Sequence, residues 1–138
     1  MRKMFVWMMP IAVMTTGLWT GLTTRTVANP AAQHALVCIG TETGEAVNFQ
    51  ARWGENGTWS SNSVAPGKWR ILTYPYDYPG ENRSPGLQVR FDDDLSSDRH
   101  MVIVKVDAYA AVSKNCEKEG ATYNFYARNG ELDLVRED

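Results

Sequence analysis

The sequence predicts an all-β fold, an antiparallel β-sandwich or barrel of about eight short strands following an N-terminal signal peptide. Three observations carry that prediction. Apolar and polar residues alternate with a period of two in several short stretches, turn-forming residues separate those stretches, and no stretch after the leader repeats with a helical period.

The leader comes first. Arg2 and Lys3 open a short positive region, residues 4–24 carry no charge, and residues 4–18 are dense in Phe5, Val6, Trp7, Ile11 and Val13. A polar stretch then ends in Thr26-Val27-Ala28, with small side chains where a signal peptidase needs them. Cleavage after Ala28 is expected, which divides the chain into a signal peptide (residues 1–28), a flexible lead-in (29–34) and one β domain (35–138). An uncleaved leader would instead anchor the domain to a membrane. In both cases the folded part lies outside the cytoplasm, secreted or periplasmic.

Residues 35–40 form an apolar run suited to a buried first strand. Residues 46–53 alternate cleanly, with Val47, Phe49, Ala51 and Trp53 on one face and Asn48, Gln50 and Arg52 on the other. Asn56-Gly57 is expected to turn the chain through positive φ. A short strand around Trp59 (residues 58–63) follows, then a turn at Ala65-Pro66-Gly67. In residues 68–74 the alternation sets Trp69, Ile71 and Thr73 against Lys68, Arg70 and Leu72. A proline-rich loop spans residues 75–85. Leu87, Val89 and Phe91 then face inward with Gln88 and Arg90 outward, and Val102, Val104 and Val106 face the core from the strand after the acidic turn. Residues 122–128 and 131–135 make a final hairpin across Asn129-Gly130.

Without Arg2, Lys3 and Arg25 of the leader, 11 basic residues face 16 acidic ones, a net charge of −5. Such a surface argues against nucleic-acid and anionic-membrane partners. Only two cysteines are present, Cys38 and Cys116. In an oxidising compartment the simplest reading is a structural disulfide, because a catalytic thiol would need a histidine partner that neither His34 nor His100 convincingly supplies.

No nucleophile elbow, metal-ligating histidine pair or phosphate-cradling glycine loop occurs. No cofactor is expected, and the leading reading is a non-enzymatic module that binds a glycan, a peptide or another envelope protein. The candidate ligand-binding residues are Tyr74, Tyr76 and Tyr78, alternating in a proline-stiffened loop that would throw three rings to one side, together with Trp59. The competing use of these rings is to cover the sheet edge. Asp92, Asp93, Asp94 and Asp98 crowd hard oxygens as Ca²⁺ requires, but they lack the glycine and distant glutamate of a complete Ca²⁺ loop, so backbone capping is the alternative. Arg52, Arg70, Arg90 and Lys105 sit mid-strand and would form a basic stripe able to hold an acidic ligand if their strands are neighbours, the commoner use of such positions being cross-strand pairing with Glu and Asp. An accessory envelope protein without a small ligand, and a small acid–base hydrolase, are the other function classes.

Cys38-Ile39-Gly40-Thr41, the alternating stretch 47–53, Trp59 and the Ala65-Pro66-Gly67 turn resemble small exported bacterial β-sandwich domains of unknown function. The resemblance spans about 30 residues. It implies an extracytoplasmic β domain and carries no active-site residue across.

Overall fold

The apolar run becomes the centre of the fold. In the computed structural model, which describes residues 31–138, strand β1 (His34–Thr41) is buried on both faces from Ala35 to Thr41. One face presents Val37 and Ile39 to the main core, and the other presents Leu36 and Cys38 to a smaller cluster with Ala111 and Cys116. A strand covered on both sides reads as a continuous apolar run, which is why this one does not alternate. The predicted signal peptide lies outside the described residues.

Two sheets face each other. In the first, β4 (Arg70–Pro75), β1, β8 (Ala121–Arg128) and β9 (Glu131–Arg136) lie in that order, and β7 (Tyr109–Ala111) shares with β8 the second edge of β1. In the second the order is β3 (Ser60–Val64), β2 (Val47–Trp53), β5 (Leu87–Asp92) and β6 (Met101–Val106). Phe125 of β8 is fully buried between them, its ring centroid 5.6 Å from that of Phe49 on β2 and 5.1 Å from that of Phe91 on β5. Burying such a ring stabilises the fold by about 1.5–3 kcal/mol, and this trio joins the sheets.

The predicted disulfide is present. Cys38 on β1 and Cys116, the first residue of the single-turn helix α1 (Cys116–Glu119), have Cα atoms 5.8 Å apart across a sequence separation of 78. Asn115 caps α1 by accepting from the Lys118 N–H at 3.1 Å. Gly120 follows because a Cβ there would lie 2.8 Å from Cys38 Sγ, so only glycine lets the chain leave the helix beside the disulfide.

Several expectations change in detail. The described residues form nine strands, and β1 runs parallel to β8, so the first sheet is mixed. His34 belongs to β1, its Nε2 lying 2.9 Å from the Ser113 carbonyl. Just before it, Gln33 donates its N–H to Ala111 O and accepts from the Tyr76 N–H. The described end of the lead-in is therefore tied down. In β4 the facing is reversed: Leu72 pairs in register with inward-facing Val37 and packs on the core, while Ile71 pairs with Cys38 and is 40% exposed. Both alternating sets in that strand contain apolar residues, so the pairing with β1 decides which points inward. The strand expected at 58–63 runs from Ser60 to Val64, leaving Trp59 just ahead of it. The positive φ after β2 is at Gly54 rather than at Asn56-Gly57. The hairpin turn at Asn129-Gly130 is as expected, with φ of 52° and 76°.

Candidate functional site

The three tyrosines of the loop differ in burial. Tyr74, next to last in β4, is half-buried with its ring 5.6 Å from that of Trp53; Tyr76 is half-buried; Tyr78 is 61% exposed. The strand ends at Pro75 and the loop after it is tied to the N-terminal segment by the Gly80 N–H, which donates to Ala32 O, while within the loop the Asp77 N–H donates to the Glu81 carboxylate. Partial burial, with Glu81 nearby, raises the Tyr76 phenol above its usual range.

The aspartates spend their oxygens on the backbone. Asp92 Oδ1 accepts the N–H groups of Asp94 and His100, and Asp94 Oδ1 accepts that of Ser96 at 2.8 Å. Asp93 Oδ1 lies 2.6 Å from His100 Nδ1, a contact that raises the imidazole pKa, while the hydrogen bonds from Ser96 hold the Asp94 carboxyl below its ordinary value. A general acid needs a shift in the opposite direction. Among the described residues no three Asp, Glu, His or Cys side chains are grouped as metal ligands.

The organised feature is the outer face of the second sheet, where Trp59 sits. Strands β2 and β5 lie side by side with Gln50 opposite Arg90 and Arg52 opposite Gln88. Each arginine bonds the glutamine directly across from it. Arg52 Nε donates to Gln88 Oε1 at 2.8 Å, and Arg90 donates to Gln50 Oε1 from Nε at 2.8 Å and also from Nη2. Gln88 is only 5% exposed, so it is a rigid anchor. Trp59 folds back from the β2–β3 turn onto both guanidiniums: Arg52 Cζ lies 4.3 Å and Arg90 Cζ 4.2 Å from the centre of its ring. These are cation–π distances, and the two bonded pairs with the shared ring hold both arginines in place.

Beside this cluster runs an open groove of about 530 Å³, lined by Asn48, Gln50, Ser61, Arg90, Arg99 and Met101 among others. Lys105 on β6 lies across from Gln88 and pairs with Glu55 at 3.4 Å. The predicted basic stripe therefore forms from Arg52, Arg90 and Lys105. Arg70 is not part of it: it belongs to the first sheet and clasps the open side of the sandwich, donating from Nε to Asn62 Oδ1 at 2.9 Å.

Sequence reasoning placed Asn48, Gln50, Arg52, Gln88 and Arg90 on outward faces and grouped the two arginines in a conditional basic stripe, but did not pair them with the glutamines. The paired residues are 36 and 40 positions apart, and their meeting depends on β2 lying next to β5. Trp59 was singled out alongside the tyrosines, and the neighbours the structure gives its ring are Arg52 and Arg90.

Comparison of the chain with known protein families, with curated proteins and with solved structures gives no match. The site has to be read from its own geometry.

Proposed function

We propose that this protein is an exported, non-enzymatic binding module whose ligand is a glycan lying across the outer face of the β3-β2-β5-β6 sheet. The observation that carries this reading is the ordered array of Trp59, two arginines and two glutamines beside an open groove. Carboxamides, hydroxyls and guanidiniums offer paired donors and acceptors at fixed positions, which suits the closely spaced hydroxyls of a sugar chain. Exposed Met101 and Ile103 at the β6 side add apolar surface for the C–H faces of sugar rings. A peptide is the weaker candidate. Sheets that bind extended peptides do so through unpaired backbone groups at an edge, whereas β2 and β5 are interior strands with their backbone groups paired to neighbours. The Cys38–Cys116 disulfide and the signal-like leader support a location outside the cytoplasm.

The test is a glycan-array screen of the domain followed by titration of the best binders. Trp59→Ala should weaken binding by about tenfold or more, because it removes the ring against which both arginines are ordered. Tyr76→Ala and Tyr78→Ala should leave it unchanged. The opposite pattern would move the site to the tyrosine loop, and absence of binding to any glycan would reject the reading.

A further inference from the structure

We infer that the glycan bound at this face is anionic, its carboxylate or sulfate groups held by Arg52 and Arg90; this rests on the glycan reading above. The domain has an excess of carboxylates, 16 against 11 basic residues beyond the leader, so a surface arginine has many possible partners. Yet among the described residues the ion pairs are made by His100, Lys105 and Arg136, and neither Arg52 nor Arg90 has a carboxylate within 4.0 Å. Both are bonded instead to neutral carboxamides, which accept hydrogen bonds without cancelling charge.

The geometry of those bonds matters as much as their neutrality. Arg52 uses Nε and Arg90 uses Nε and Nη2, so among the described residues both terminal nitrogens of Arg52 and Nη1 of Arg90 have no acceptor. A guanidinium is a planar fork that matches the two oxygens of a carboxylate or sulfate. Here the forks are half-buried, ordered by Trp59 and by the glutamines, and sit on neighbouring strands one diagonal step apart. Ordering before binding removes much of the entropy cost that a mobile arginine would incur on capturing an anion. Arg99 joins Arg90 as a second cation in the lining of the groove. Asp92 also lines it, but its Oδ1 is already bonded to two backbone N–H groups. A net negative domain repels polyanions in general, so capture of one would have to be local to this face.

The experiment is equilibrium binding of the whole domain to a polyuronate, a dextran sulfate and a neutral dextran, at about 20 and about 200 mM salt. Polyuronate or dextran sulfate should bind, more weakly at the higher salt, and neutral dextran should not; which polyanion wins identifies the anionic group. The double variant R52Q/R90Q should lose about tenfold or more of the affinity for the polyanion while melting close to the wild type. K114Q/K118Q removes the same charge near α1 and should bind as the wild type does. Equal binding of neutral and acidic polymers, unaffected by R52Q/R90Q, would overturn the anionic inference and keep the glycan reading. Equal losses in the two double variants would show nonspecific attraction and overturn it as well. Failure to bind any glycan, on the array or here, would remove both.

Discussion

Removing the disulfide should cost this fold much of its stability. The cross-link spans a separation of 78 residues, from the central strand to the helix before the last hairpin. On the chain-entropy model a closed loop of that length contributes about 4 kcal/mol, against a total of roughly 5–15 kcal/mol for a domain of ordinary stability. With an unfolding entropy of about 2.1 cal/mol/K per residue over roughly 105 residues, 4 kcal/mol corresponds to a fall in Tm of about 18 °C. Two perturbations separate the cross-link from the packing of its sulfurs. Reducing the wild type cuts the link and keeps both thiols in the cluster with Leu36 and Ala111. The double variant Cys38→Ala/Cys116→Ala also empties the space of two buried sulfurs, for about 1 kcal/mol more. Differential scanning calorimetry of the oxidised wild type, the reduced wild type and the double variant should therefore give Tm values falling in that order. A drop of less than about 5 °C on verified reduction would refute the reasoning, because it would mean that the unlinked chain is already held together in its unfolded ensemble.

Phe125→Ala should destabilise the domain by about 3–5 kcal/mol in denaturant titration, since the ring is fully buried against Phe49 and Phe91 and its loss leaves a cavity between the sheets. A loss under about 1 kcal/mol would mean that the sheets collapse to fill the space. His100 should titrate by NMR above the free imidazole value of about 6.5, and Asp93→Asn should bring its midpoint back down, since the hydrogen bond and charge of Asp93 cause the shift. The stabilisation from this pair is fully present below the unfolded value and is lost as pH rises through the raised folded one. A His100 midpoint unmoved by Asp93→Asn would show that the 2.6 Å contact is not maintained in solution.

How much of the site was legible can be judged from single residues. Gln50, Arg52, Gln88 and Arg90 were readable as outward-facing, because period-two alternation is a local property of a strand with one buried side. That Arg52 meets Gln88 and Arg90 meets Gln50 was not readable, because strand neighbours separated by 36 to 40 residues are chosen by the packing of the whole chain. Trp59 shows the same division: the sequence marks a tryptophan just after a turn, and only the folded turn directs its ring onto the two arginines. In the tyrosine loop the backbone bonds to Ala32 and Gln33 were not legible, because they join the loop to a segment more than 40 residues away in sequence.

The sequence by itself determined the all-β class, the inward faces of β2, β5 and β6, the hairpin at Asn129-Gly130 and the pairing of the only two cysteines. Each of these follows from chemistry within a few residues, or from there being no other partner to choose. Only the tertiary structure decided that β1 runs parallel to β8, that Leu72 rather than Ile71 faces the core, and that two arginines share one tryptophan ring. Those outcomes depend on which strand lies beside which, a choice made by burying Val37, Ile39, Phe49, Phe91 and Phe125 together rather than by any local preference of the chain.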